Sequence, residues 1–480
     1  MGICVGLDIG TTGLKVVAYD SSKSSIEMDE GFHYEPKSLG PGRFEQDPKE
    51  VEDAVFNALR KVSERFKDID AIVLDSALHT ILFLDSDLKP ITNIVPWLDE
   101  RTVPQVERTL KDEALTSELH HRTGCPPATV YPFYKLLWFY DNEPEILKVA
   151  LKIVSQKDYI VYKLTGYLLS DISVASGSAC LDIRRKEWCY DVLWELVKVE
   201  SDKFPELSNP LEVLALSKEA SLRTGLPEGT PVILGFSDAA ASSIGAGAGI
   251  EDSITVSVGS SAAIRAIVEN PPSEYPAPGV WCYLLDEKLY LSGVAIKNGG
   301  YVFDWYVKLF SKRSYPEIIN MVERDIEANL DNPVLFYPFI FGKRFPKFDP
   351  VPRARFDNLT SSTTEAQVAR AVLEGIAFNL KRVFDTVKKI PRTLRKVVAT
   401  GGLTQADIWM RMLSSIFEHE IVVQSQRQGA ALGAILYFLS DGNLNSINLE
   451  AFSHELKRYS PSEPLLSYYK KAYERWLNRL

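Results

Sequence analysis

Residues 1–20 read MGICVGLDIGTTGLKVVAYD, and this stretch decides the fold. Ile3 to Leu7 is a short apolar run closed by Asp8, and Gly10-Thr11-Thr12-Gly13 turns the chain into a second run, Leu14 to Tyr19, rich in β-formers. The pattern predicts a β-hairpin with a glycine and hydroxyl turn. Such a turn presents backbone N–H groups and two hydroxyls to a phosphate, and Asp8 beside it is suited to a hydrated Mg²⁺. The same residues also make an ordinary hairpin turn, so the phosphate reading depends on corroboration elsewhere in the chain.

That corroboration comes from a second copy of the pattern. Ile254 to Val258, Gly259-Ser260-Ser261-Ala262-Ala263 and Ile264 to Val268 repeat the order strand, glycine and hydroxyl turn, strand. Two such hairpins predict two domains on one plan, facing each other across a nucleotide. The Gly-rich segment Gly245 to Glu251 is the expected boundary, dividing residues 1–248 from 249–480.

Around the hairpins, strands and helices alternate. Asp47 and Pro48 form an N-cap and first helical residue, and Val51, Val55, Ala58, Leu59, Val62 and Phe66 follow at helical spacing, predicting a helix from about 48 to 66. Asp70 to Leu74 is a buried strand leading to Ser76-Ala77-Leu78-His79-Thr80, with a further strand-like run at Ile81 to Leu84. This is an α/β layer pattern, in which ligands sit beyond the carboxyl ends of strands. Pro231 to Gly235 is another such strand and ends on Phe236-Ser237-Asp238, before a run of small residues at 239–248. Asp238 is therefore displayed where a catalytic carboxylate would stand, although it would equally serve to cap the next helix. Residues 120–200 are expected to be mainly helical, and a long helix is expected from about Thr364 to Lys388. Val397 to Thr400 ends in Gly401-Gly402, a double glycine that lets backbone approach an adenosine closely, although such a pair is more often just a tight turn. Pro96-Trp97-Leu98-Asp99-Glu100-Arg101 reads most simply as a rim turn with an Asp–Arg pair.

Bulk composition narrows the function classes. Of 480 residues, 45% are apolar and 25% charged, as in a soluble globular protein, and the net charge of −10 disfavours general binding to nucleic acid or anionic membrane. The five cysteines, with no CxxC pair and only six histidines in the chain, suggest neither a disulfide framework nor a zinc cluster. The N-terminus lacks the pattern of a signal peptide, and no window approaches the roughly 18 apolar residues of a membrane span. A cytoplasmic protein is expected.

In order and spacing, these segments resemble the FGGY family of carbohydrate kinases, within the actin, Hsp70 and sugar-kinase superfamily. The matching segments are DIGTTGLKVVAYD (8–20), EQDP (45–48), PWLDERT (96–102), GFSDAAASSIGAGA (235–248), VSVGSSAAI (256–264), KNGGYVFDW (297–305), TGGLTQADIW (400–409) and QGAALGA (428–434). The resemblance implies a two-domain, ribonuclease H-like α/β fold, each domain a mixed sheet flanked by helices. It also implies ATP- and Mg²⁺-dependent phosphorylation of a small carbohydrate hydroxyl, and leaves a homodimer open. By match to the motifs, Asp238 would be the catalytic base, and Asp8, with Asp238, would hold Mg²⁺. Thr11, Thr12, Lys15, Gly259 and Ser260 would meet the phosphates, and Gly300, Gly402 and Ala406 would line the adenosine site. Leu78, His79, Trp97, Asp99 and Tyr131, with Val130 beside it, would surround the carbohydrate. Closure of the domains, hinged near Gly245 to Gly249, would exclude water as a competing acceptor.

Within the family the resemblance is closest to gluconate kinases, through Thr123-Gly124-Cys125-Pro126, the block from Tyr131-Pro132 to Trp138, Val258 to Arg265 and Asn298-Gly299-Gly300. Lys297, Lys135 or Arg265 would then meet a substrate carboxylate, although Lys135 and Arg265 also read as solvated or structural residues. Xylulokinase is the near rival, because PWLDERT and His79 suit a ketose enzyme too. Several positions depart from the family pattern: Ser260 for a threonine, Ala77-Leu78-His79 for Gln-Met-His, Ser415 for an acid and Val51-Glu52 for an aromatic pair. A third alternative is a non-catalytic ATP-binding scaffold or sensor on the same fold, against which Asp238 argues.

Overall fold

A computed structural model describes residues 2–424, 429–447 and 456–480. The opening hairpin forms as its sequence dictates: Ile3–Ile9 pairs antiparallel with Gly13–Asp20, placing Asp8 opposite Lys15. Gly10 N donates to Gly13 O at 2.9 Å to close the turn. Glycine is required at position 13, where a Cβ would lie 2.6 Å from the carbonyl oxygen of Phe32 on the neighbouring strand.

The hairpin is the centre of a six-stranded sheet in the order Val213–Ala215, Pro231–Ser237, Ala71–Ser76, Ile3–Ile9, Gly13–Asp20, Ser25–His33. The second hairpin, Ser253–Val258 against Ala262–Val268, is the centre of a seven-stranded sheet. Its order is Trp281–Leu284, Tyr290–Ile296, Ala262–Val268, Ser253–Val258, Lys396–Thr400, Ile421–Gln424, Leu456–Tyr459. The two sheets share one plan. In each, the first hairpin strand pairs with a parallel strand, and that strand with a second parallel one. A long helix precedes the first parallel strand: Pro48–Arg65 in one half, Glu365–Val387 in the other. A small-residue helix follows the second: Asp238–Gly245 and Gly429–Leu439.

Helix ends follow their local signals. Asp47 accepts from Lys49 N and Pro48 opens the first turn, while Thr364 and Gln367 form a reciprocal capping box. The 120–200 stretch is mainly helical as expected, with short strands at Lys152–Val154 and Leu169–Asp171. The terminal helix Leu465–Leu477 buries Tyr469, Ala472 and Trp476, and Trp476 Nε1 donates to Phe336 O at 2.8 Å.

Strand alternation sorts the core. Val5, Leu7, Ile72 and Leu74 face a layer formed with Val51, Val55, Leu59 and Leu164, whereas Cys4, Val17 and Val73 face the opposite side. That second layer runs without a break through Ala240, Ala241, Ala431, Leu432 and Ile435 to Val256, Ile264 and Met412 of the other sheet. The passage is possible because the two small-residue helices meet at backbone distance. A Cβ on Gly245 would lie 1.8 Å from Gly429 O, and one on Gly433 would lie 2.1 Å from Ala241 O. Gly6, in the first strand, is likewise pressed against Ala431 O. Gln428, which opens the QGAALGA segment, lies outside the described residues.

Gly245→Ala is therefore expected to force the two helices apart and to destabilise the chain by about 1–3 kcal/mol. Thermal unfolding measures it, with Gly402→Ala, whose added Cβ would meet open space, as the neutral control.

Candidate active site

Three carboxyl groups stand at one edge of the first sheet, because three parallel strands end there. Asp8 and Asp75 are register partners, and Asp75 is opposite Phe236, two residues before Asp238. Asp238 does not cap its helix. Ser237 does, accepting from Ala240 N at 3.3 Å, and Asp238 is the first helical residue, its Oδ1 accepting from Ala239 N at 2.7 Å. Burial raises the Asp238 carboxyl to about 6, helped by the charge of Asp8 and opposed by Arg265. Burial also raises Asp8, which Lys15 holds back. Asp75 was missed in the sequence, where it reads only as the acid at the end of an apolar strand. It is fully buried, neither oxygen has a hydrogen-bond donor, and burial with the charges of Asp8 and Asp238 raises it well above the carboxylate range. Asp75 and Asp8 face each other, and burial raises both.

The tip of the first hairpin is braced from behind. Tyr34 OH donates to Gly10 O, Gln46 Nε2 to Thr11 O, and Trp97 Nε1 to Thr11 Oγ1, each at 2.8 Å. Thr12 and Lys15 remain exposed. The second hairpin is braced in the same way, Gly259 O accepting from Gly300 N at 2.7 Å and Ser260 O from Tyr301 N at 3.2 Å. Gly259 and Ser260 are exposed at its tip. Behind it Gly401 adopts φ 105°, and a Cβ there would meet Val258 O at 2.2 Å. Gly402 opens a short 3₁₀ turn, Ala406 caps the helix Asp407–Phe417, and Leu403 lies against Gly300. Gly300, Gly402 and Ala406 are thus gathered beside the second hairpin.

A cavity of about 790 Å³ opens between the halves. Of the residues expected around a carbohydrate, Leu78, His79, Trp97, Val130 and Tyr131 line it, and so does Asp238. His79 adopts φ 69°, a left-handed conformation uncommon outside glycine and typical of strained functional positions. Its Nδ1 lies 2.5 Å from Gly177 O, so Nδ1 carries the proton and Nε2 is an acceptor. Burial pushes the ring down to about 3, so it stays neutral at physiological pH. Tyr131 OH meets Tyr283 OH of the second half at 2.9 Å, and Trp281 stacks on Tyr283 with centroids 4.4 Å apart.

Asp99 does not line the cavity. It is fully buried, and its carboxylate accepts from Phe44 N at 2.8 Å and from Arg101 N, Nε and Nη2 at 3.0, 2.8 and 3.0 Å. Its acceptor capacity is filled, and its work is to hold the turn that presents Trp97. The Asp–Arg pair expected at a rim is thus a buried one. Lys135 is also not a ligand group. Its Nζ donates to His79 O at 2.5 Å, Val95 O at 3.1 Å and Pro96 O at 2.9 Å. Lys297 forms an ion pair with Glu100. Of the three basic residues considered for a substrate carboxylate, only Arg265 lines the cavity. Arg344, lost to sequence reading in a loop crowded with Lys and Arg, lines it too.

Among the described residues, no group of three or more His, Cys, Asp or Glu side chains is arranged to hold a metal by itself. Replacing Lys135 by Met would leave three carbonyls without a donor, at roughly 1–3 kcal/mol each before relaxation. A drop of about 3 kcal/mol in denaturant-derived stability is expected. Retention of wild-type stability would show that the three bonds carry little.

The sequence model "FGGY family of carbohydrate kinases, N-terminal domain" matches residues 3–245, and its C-terminal domain counterpart matches 254–439. A gluconokinase of Bacillus subtilis (strain 168) is 28% identical over 459 residues, covering 92% of this chain and 88% of that protein. A xylulose kinase from the same organism is 26% identical, covering 100% of this chain and 96% of its own. The crystal structure of gluconate kinase from Lactobacillus acidophilus superposes with a TM-score of 0.92 at 29% identity, covering 100% of this chain and 97% of that one.

Proposed function

Since the chain belongs to the FGGY family of carbohydrate kinases, we propose that it moves the γ-phosphoryl group of ATP onto a terminal hydroxyl of D-gluconate, yielding 6-phosphogluconate. The observation that carries the reading is Asp238, a half-buried acid that lines the cavity beside the edge where Asp8 and the first hairpin stand. As the hydroxyl oxygen bonds to phosphorus and the bond to ADP breaks, Asp238 accepts the hydroxyl proton. Exposed Thr12, Lys15, Gly259 and Ser260, with Thr11 and the hairpin amides, meet the phosphates, and positioning and charge supply most of the rate. The adenosine lies against Gly300, Gly402 and Ala406. Asp8 and Asp238 would hold a Mg²⁺ ion, which commonly needs only one or two carboxylates from protein. When bound it neutralises phosphate charge.

The two halves divide at residues 248 and 249 and close over the substrate, excluding water. The protein acts in the cytoplasm on a small carbohydrate, with no nucleic-acid or membrane partner. A net charge of −10 supports this, and among the described residues no helix is long and apolar enough to cross a membrane. Xylulose is the second reading, favoured by near-equal likeness to a xylulose kinase and by a neutral His79 that offers a ketose hydroxyl an acceptor.

Asp238→Asn is expected to leave Mg-ATP affinity within a few-fold of wild type while lowering sugar-dependent ADP release by about 10²–10⁴-fold. Full turnover in that variant would sink the assignment. A coupled ADP-release screen across gluconate, xylulose, ribulose, glycerol, fuculose and rhamnulose tests the substrate. Gluconate at the ATP-only background, with a ketose well above it, would give the reaction to the ketose.

A further inference from the structure

Among the described residues the two fully buried arginines are paired, whereas two half-buried ones that line the cavity are not. The two arginines most deeply buried among the described residues are Arg101, bonded to Asp99 and Glu45, and Arg370, bonded to Glu374 and Asp325. Arg344 and Arg265 both line the cavity, and both have a buried Nε without a hydrogen-bond partner. Neither has an ion pair among the described residues. Arg265 has at least one anchor, Nη1 donating to Ser257 Oγ at 3.1 Å, and it is the arginine whose charge bears on Asp238. Arg344 has none. Its guanidinium lies 5.7 Å from the Trp97 ring, and the groups it acts on are His79, Tyr131, Tyr283 and Lys297, none of which supplies a negative charge at neutral pH. Lys297, the other cation at this end, is already matched by Glu100. A guanidinium taken from water with no anion nearby is costly, and the imbalance is relieved only by something that enters the cavity.

We propose that Arg344 is the specificity-determining residue of this cleft and binds the carboxylate of an aldonic acid whose far hydroxyl lies at Asp238. The inference rests on the sugar-phosphorylating reading above and adds the residue that selects an acid over a neutral polyol. The arrangement suits a linear substrate with its charge at one end and its acceptor hydroxyl at the other. Arg265 is the arginine that acts on Asp238, Arg344 lies against the Trp97 ring, and all four line the same cavity. A guanidinium fork matches a carboxylate in two parallel hydrogen bonds, whereas a neutral hydroxyl at the same place leaves its charge unanswered.

The test compares D-gluconate with D-glucitol, which differ in having a carboxylate or a CH₂OH at one end. Equilibrium titration calorimetry on the full-length protein is run for wild type, Arg344→Gln and Arg344→Lys. Wild type is expected to bind gluconate roughly 10- to 100-fold more tightly than glucitol, as a charge-assisted pair predicts. Arg344→Gln should bring that ratio to within about 3-fold of unity, and Arg344→Lys should keep an intermediate ratio, because the charge survives and the fork does not. A wild type without preference, or an Arg344→Gln variant that loses affinity for both ligands by the same factor, overturns the inference. The lysine variant decides if the glutamine one does not fold: an undiminished preference there removes the role of the fork. ADP release is read in parallel. Preferential gluconate binding without gluconate-dependent ADP release would overturn the reaction proposed above and leave the role of Arg344 standing. Gluconate turnover with equal losses for both ligands would do the reverse.

Discussion

The geometry of this molecule depends on a contact between two backbones. The helices Asp238–Gly245 and Gly429–Leu439 occupy equivalent places in the two halves and cross where Gly245 meets Gly429 and Gly433 meets Ala241. Alanines and glycines leave no side chain to hold the helices at ordinary packing distance. One apolar layer can therefore run from the first sheet into the second. The same helix that makes this contact begins at Asp238, so its packing and the position of the acid are fixed together. A residue that spread the crossing would move the carboxyl relative to everything the second half contributes.

Charge is distributed unequally across the cleft. The first half supplies Asp8, Asp75 and Asp238, all raised by burial, and the second supplies Arg265 and Arg344. Each group would be costly to bury alone. Asp238 and Arg265 moderate one another, and burial with the charges of Asp8 and Asp238 raises Asp75 well above the carboxylate range. Aromatic rings form part of the cavity wall, and a pair of tyrosine hydroxyls there joins the halves.

Much of this could be read from the sequence because its signals are local. A glycine and hydroxyl turn between β-runs, Pro48 after Asp47 and an acid at a strand mouth announce themselves within a few residues, and each lies where it was expected. What could not be read depended on partners distant in the chain. Asp99 reads as a carbohydrate ligand by resemblance, but Phe44 and Arg101 fill its acceptors, and Lys135, open in sequence to a ligand or a structural role, is structural, donating to three carbonyls. Asp75 looked like the end of a strand because nothing local reveals that Asp8 lies beside it. Arg344 was one cation among several, and what sets it apart is a missing partner, which a sequence does not record.

The shared plan of the two sheets carries a further consequence. The residue two places before the turn glycine is Asp8 in the first hairpin and Ser257 in the second. A scaffold present twice can keep its acid in one copy and discard it in the other without loss of either fold. Divergence of that kind turns a symmetric clasp into a polar one, with carboxyl groups on one jaw and cations on the other.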